Sequence, residues 1–335
     1  MPIGVDILEN EIIEEYPDVL DILLRDNTTQ KNILWATDNY EYLGHLYNSS
    51  SNILPGLITG DNGNIIMPRV NKDKIQQQSR SKEMAEVFTP SWICNAQNNL
   101  IDNTWFGKEN VFNNDIILKC GSKTWETNKE KIIFPKDKSW VDYIRDTRLE
   151  ISCGEAPYIV SRYDTTTGEF ISIDNRIGIL DRKLRVINEN VDSTDEWLKA
   201  AQTAYKNTYA FEWQGDSLLL AREAMFLTFI ENYTHKFREE PVLESIQNIA
   251  YIISWNVWQM DGLKGVVPNS CADLIKKNSD LFGNSKNEII KCKGCESQSI
   301  TLHNGTYCNI MDWEEKDKKT GEMGKITRFV DLLKK

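Results

Sequence analysis

Four residues late in the sequence have the types and spacing of a metal site. Cys292 and Cys295 are followed by His303 and Cys308, giving C-x2-C-x7-H-x4-C. Zinc takes four tetrahedral thiolate and imidazole donors, and a tight C-x2-C knuckle closed by a second nearby pair supplies them. Gly294 and Gly305 let the main chain bend toward the sulfurs. Four protein donors leave no open coordination position, so the expected metal is structural zinc. A deaminase-type zinc is disfavoured, because no H-x-E accompanies the C-x-x-C. The competing reading is three free thiols and a surface histidine.

A second group is a series of acids at the ends of expected strands. Glu150 lies in Leu149-Glu-Ile-Ser-Cys153-Gly154, Glu212 closes Thr208-Tyr-Ala-Phe-Glu, and Asp261 lies in Asn256-Val-Trp-Gln-Met-Asp-Gly-Leu. A nucleotide-like ligand needs this layout. A glycine turn lets the main chain approach it closely, and a carboxylate after the next strand accepts from ribose hydroxyls. A further Asp accepts from an adenine amine, since an ionised carboxylate is only an acceptor. Each acid alone is an ordinary surface residue; the expectation rests on their order.

The order carries a resemblance. Glu86-Val-Phe-Thr89-Pro90 resembles the element that precedes the cofactor motif in N6-adenine DNA methyltransferases of restriction-modification type. Leu149 to Gly154 resembles that family's glycine motif. Tyr209-Ala-Phe-Glu212 through Leu220-Ala-Arg222 is similar to its second motif, and Ile249 to Leu263 to its third. The resemblance spans residues 86–263. It implies a Rossmann-like, S-adenosylmethionine-dependent methyltransferase fold. Thr89, Pro90, Glu150, Cys153 and Gly154 would then lie at the methionine side of the cofactor, Glu212 at the ribose and Asp261 at the adenine. Two departures stand out. Ala156 replaces the second glycine of the first motif, and its Cβ is expected to crowd the cofactor and to tolerate a left-handed backbone poorly. The sequence also contains no Pro-Pro, so the loop that holds a flipped adenine in this family is missing and no catalytic residue carries over. The nearest fragment by position is Asp312-Trp313. The resemblance thus implies action on DNA together with a partner subunit that supplies the loop, or a split or shortened gene product. The alternative is a non-catalytic DNA- or protein-binding scaffold on a degenerate methyltransferase fold. A third reading, another nucleotide-dependent enzyme, rests on fold analogy alone.

Composition narrows these choices. The 335 residues carry a net charge of −11, which argues against tight unaided duplex binding, because DNA binders show a basic footprint. The local basic stretch from Arg69 through Arg80 and Lys82 reads as solvated surface. No apolar run is long enough to span a bilayer. The acidic N-terminus lacks the basic-then-apolar order of a signal peptide, and seven cysteines are an odd number with three clustered near a histidine, which suits a reducing, cytoplasmic setting.

These residues need elements to position them. A buried strand is expected at Ile33–Ala36, a hairpin around Asp61-Asn-Gly, and a linker or exposed helix over 69–84. A helix is expected after Pro90, an insertion across Trp105–Trp140, and two helices over 176–206 broken near 188–193. Strands are expected at Leu149 and Tyr209, and a long helix through Ala221. The apolar run Ile249–Asn256 fits a strand or a buried helix, which periodicity cannot decide. Strands alternating with helices indicate a mainly parallel α/β sheet. The expected divisions are an N-terminal extension (1–80), a methyltransferase-like cofactor domain (81–270) and a C-terminal zinc-knuckle segment (271–335).

Overall fold

The computed structural model describes residues 5, 9–83, 87, 89–279, 285–318, 320, 321 and 323–333. The first of the described elements are two short helices, α1 (Glu9–Glu15) and α2 (Val19–Leu24), a two-residue ribbon of β1 (Arg25–Asp26) and β2 (Lys31–Asn32), and the helical turn α3 (Pro55–Ile58). The strand expected at Ile33–Ala36 shrinks to a single bridge between Leu34 and Asn52, although Ile33 and Trp35 are buried as expected. The hairpin around Asp61-Asn-Gly does not form. Residues Gly60–Asn62 make a 3-10 turn, and the Asn10 side chain both donates to Gly60 O and accepts from Gly60 N, satisfying groups that a hairpin would have paired.

α4 (Lys74–Glu83) occupies the polar stretch, and Lys74 and Lys82 are exposed as expected, but two other basic residues of the stretch are not. Lys72 and Arg80 are buried and ion-paired to Asp216, at 3.3 and 2.7 Å. α5 (Ser91–Phe106) starts after Pro90, where Asp164 accepts the Ser91 N–H at 2.8 Å. The insertion folds as an antiparallel hairpin of β3 (Asn113–Ile117) and β4 (Lys123–Thr127), followed by α6 (Trp140–Arg145).

The centre is a three-stranded parallel sheet, β5 (Arg148–Ile151), β6 (Thr208–Glu212) and β7 (Val257–Gln259), in that spatial order. α7 (Ile179–Asn190) and α8 (Thr194–Lys206) join β5 to β6, and α9 (Gly215–Phe237) and α10 (Leu243–Asn256) join β6 to β7. Parallel neighbours require such crossovers. Ser193 caps α8 by accepting the Glu196 N–H. The ambiguous run at 249–256 is helical, because its apolar character begins at Leu243 and the resulting 14-residue element is too long for a strand. α9 is buried along most of its 23 residues, as a helix apolar on all sides should be.

One apolar core joins residues from Ile12 to Ile66 with α7 to α10, so the N-terminal part shares its core with the helices flanking the sheet. A smaller cluster of Phe211, Trp258, Met260, Val267, Cys308 and Ile310 includes residues of β6 and β7. It packs them against the C-terminal segment, built from the hairpin β8 (Leu274–Ser279) and β9 (Ser285–Ile290), α11 (Lys293–Ser297), the hairpin β10 (Asn309–Lys316) and β11 (Met323–Arg328), and α12 (Phe329–Leu332). The protein is mixed α/β with one small parallel sheet among short antiparallel pairs.

Candidate functional site

A cavity of about 880 Å³ opens where β5 and β6 end. Of the residues expected at a cofactor, Thr89, Glu150, Cys153, Gly154 and Glu212 line it. Pro90 caps α5 beside Thr89 without lining it. Asp261 does not line it either. Its Oδ1 accepts from the N–H groups of Leu263 and Lys264 at 3.0 and 3.2 Å, and Oδ2 faces Lys264 Nζ at 3.3 Å. That carboxylate closes its own turn outside the cavity lining. The lining also includes Ala36, Thr37, Asp38, Ser49 and Asn269, which lie outside the resembling motifs, and Trp213, which follows Glu212 in the second. Trp213 was findable as the neighbour of Glu212. The others lie too far away in sequence to signal a shared site.

Glu212 organises the floor. Its Oε2 accepts the Gly154 N–H at 2.9 Å, and Oε1 accepts those of Trp213 and Gln214 at 2.8 and 3.1 Å. One carboxylate thereby joins the turn after β5 to the turn after β6. Burial raises its pKa, against the pull of those three N–H groups. Glu150 is pushed well above the ordinary carboxylate range, first by burial and then by the neighbouring Glu212 charge. Its Oε2 is buried without a hydrogen-bond partner among the described residues. Burial and the same two acids also raise the Cys153 thiol, the direction opposite to that of an activated nucleophile.

The cleft is lined by unusual backbone. Ala36, Ser152 and Asn269 have φ of 62°, 53° and 60°, and Gly154 has 55°. Left-handed non-glycine residues are costly and gather at functional sites. Ala156, in place of the expected second glycine, adopts φ 57°. It is fully buried and does not line the cleft, so its methyl does not narrow the cavity, contrary to the expected crowding.

The metal candidate has a different ligand set from the one the spacing indicated. Cys271, Cys292, Cys295 and His303 place their donor atoms within 4.8 Å of one another. Cys271 Sγ lies 3.5 Å from Cys292 Sγ and 3.7 Å from Cys295 Sγ, and His303 Nδ1 lies 3.5, 3.6 and 3.6 Å from the sulfurs of Cys271, Cys292 and Cys295. With Zn–S of about 2.3 Å and Zn–N of about 2.0–2.1 Å, a tetrahedron has S···S edges of about 3.8 Å and S···N edges of about 3.5 Å. The donor set fits zinc. Asn304 N–H points at Cys292 Sγ at 3.4 Å, and a Cβ on Gly294 would meet His303 N and Nδ1 at 2.6 Å, so only glycine fits that turn. Burial opposes charge on Cys292, but the main-chain groups of Cys295 and Asn304 outweigh it and lower the thiol to about 6.

Cys308 is not a ligand. It is fully buried in the cluster with Phe211 and Trp258, and its Sγ donates to Gln259 O at 3.3 Å. Main-chain bonds from Cys308 N to Gly265 O and from Phe329 N to Cys308 O fix it there. Cys271 replaces it across the β8–β9 hairpin. The odd cysteine count was the available signal.

Asp312 and Trp313 lie at the other end of the sheet. They line an apolar groove of about 330 Å³ with Thr147 and Asn207, residues that precede β5 and β6, whereas Ser152 and Trp213 in the cleft follow them. Asp312 accepts from the N–H groups of Glu314 and Glu315, and Trp313 Nε1 donates to Asn256 Oδ1 at 2.7 Å. Both are structural and remote from the cleft.

No family model matches the chain, and no curated protein or solved structure matches it. No helix among the described residues is long and apolar enough to cross a membrane.

Proposed function

We propose that the cleft binds S-adenosylmethionine and that the chain is the cofactor-binding part of a cytoplasmic, restriction-modification-type N6-adenine DNA methyltransferase on a Rossmann-like sheet. One observation carries this reading: Glu212 at the end of the second parallel strand accepts the Gly154 N–H of the turn after the first, with Thr89 lining the same cavity. Ligands of open parallel sheets bind outside the carboxyl ends of the strands, and these are such ends. Glu212 would hold the ribose hydroxyls while keeping its main-chain bonds. With Asp261 engaged in its turn, the base end falls to Asp38 and Trp213. Bound S-adenosylmethionine would supply the methyl group. The chain's own residues bind and orient it, and the loop that holds the target amine must come from a partner. Zinc at Cys271, Cys292, Cys295 and His303 holds the C-terminal segment in shape.

A second reading, a non-catalytic scaffold, is favoured by the missing Pro-Pro loop and by Asp312 lying away from the cleft. The two readings separate by calorimetric titration with S-adenosylhomocysteine. The cofactor reading expects one site per chain, weakened about 10- to 100-fold by Glu212→Ala, the loss of about 1.5–3 kcal/mol for a charged acceptor. No heat of binding at millimolar ligand would leave the scaffold reading.

A further inference from the structure

The metal centre and the cleft are joined by a very short piece of chain. Asn269 lines the cleft, and Cys271, two residues on, belongs to the Cys/His cluster. Ser270 between them is held from both sides: its Oγ donates to Val267 O at 2.6 Å and accepts the Thr306 N–H at 3.1 Å. Gly305 packs so closely on this stretch that a Cβ there would meet Ser270 Oγ at 2.8 Å and Cys271 N at 3.0 Å.

Asn269 then reaches across the cleft mouth. From a left-handed backbone at φ 60°, its Nδ2 donates to Ser49 O at 3.0 Å, a bond spanning 220 residues of sequence. Ser49 O also accepts the Ala36 N–H at 3.1 Å, and Ser49 N–H donates to Asp38 Oδ1 at 2.9 Å. Ala36, Asp38 and Ser49 are all cleft residues. Cleft residues are therefore tied to the metal centre through an exposed amide. An exposed hydrogen bond holds a wall only if both of its ends are already fixed, because otherwise ordering the chain costs more than the bond returns.

We propose that Asn269 is a positioning residue that couples metal occupancy at the Cys271, Cys292, Cys295 and His303 centre to ligand binding in the cleft. Bound metal fixes residues 269–271, which hold Asn269 against Ser49 and present Ser49 and Asp38 to the ligand. Without the metal, Cys271 loses its anchor and the wall must be ordered by the ligand itself. Coupling between two sites is reciprocal. The ligand must therefore tighten metal binding by the factor by which metal tightens ligand binding. The coupling rests on the nucleoside-type reading of the cleft, so its test uses S-adenosylhomocysteine and zinc.

S-adenosylhomocysteine is titrated into zinc-loaded and chelator-stripped protein by calorimetry. Zinc affinity is measured by competition with a chromophoric chelator, with and without S-adenosylhomocysteine. Metal removal should weaken the ligand by about 5- to 30-fold, within the range of ordinary coupling, and the ligand should raise zinc affinity by the same factor. Asn269→Gly keeps the left-handed backbone while removing the amide. It should bring both factors to near one with one zinc per chain retained, and if stripped protein loses structure, zinc-loaded Asn269→Gly should still bind the ligand about 5- to 30-fold more weakly than zinc-loaded wild type. A factor of one in the wild type, or full coupling in Asn269→Gly, overturns the proposal while leaving the cofactor reading intact. Absence of ligand binding to zinc-loaded wild type overturns both.

Discussion

The cleft and the metal centre differ in what their geometry depends on. In the cleft, the decisive contacts run between Glu212 and main-chain N–H groups of two turns that the parallel sheet already sets in place. The cavity thus exists before any ligand arrives. At the metal centre the donor atoms come from Cys295 in the five-residue helix α11, Cys292 at its N-cap, and the irregular stretches that carry Cys271 and His303. Three sulfurs and an imidazole at tetrahedral spacing become a stable arrangement only with a cation between them. One site is held by the fold, whereas the other helps to hold it.

The comparison breaks most visibly if the wrong cysteines are assigned. Cys271→Ser should lower zinc content from one per chain to well below one by metal analysis and expose residues 271–333 to proteolysis, with the parallel sheet retained by circular dichroism. Apparent zinc binding energies in small sites run to about 10–16 kcal/mol, so this is the largest effect expected. Cys308→Ala should keep the zinc and cost only about 1–2 kcal/mol of stability as a core truncation. The reverse pattern would restore the ligand set first expected from spacing.

The sheet-borne site has its own weak point at the start of α9. Asp216 is buried against Lys72, Arg80 and the Tyr40 hydroxyl, and Asp216→Ala should destabilise the protein by about 3–5 kcal/mol in chemical denaturation, because it strands two buried cations. Burial alone would raise this carboxyl, but Arg80 and Lys72 hold it well below its ordinary 3.8. Its contribution is therefore full above that value and is lost as pH falls below it toward the depressed folded pKa. Asp216→Asn should flatten the stability profile in that acidic window and leave the profile near neutrality level.

Much of the cleft was legible in sequence, and little of the metal centre's closure was. β5, β6 and the two acids on them follow from local patterns, apolar strands running into a glycine turn or a carboxylate. Asp261 falls outside the cavity lining because β7 is only three residues long and this acid closes the turn after it. Within the basic stretch at 69–82, Lys72 and Arg80 depart from solvated surface because their partner, Asp216, lies more than 130 residues away. Compact spacing favoured Cys308 over Cys271, since a hairpin that brings a distant cysteine home leaves no periodic trace. Contacts between remote segments decided the basic stretch and the metal ligands, and a local turn decided Asp261.

A smaller effect sharpens the account of a pre-built cleft. Ser152 lines the cavity in a left-handed conformation and is exposed. Ser152→Gly should stabilise the protein by about 1 kcal/mol in denaturant titration, by relieving the cost of a Cβ there. No gain would mean that the turn is not strained.

The central claim is that the ligand site is the cavity at the ends of β5 and β6, and not the apolar groove at the other end of the sheet. Amide hydrogen exchange on zinc-loaded protein, with and without saturating S-adenosylhomocysteine, tests it residue by residue. Protection should rise at 152–158 and 212–217, and also at 36–38, 49 and 269, with 309–316 unchanged. Protection confined to the segment around Asp312 and Trp313, or none in either region, would contradict it.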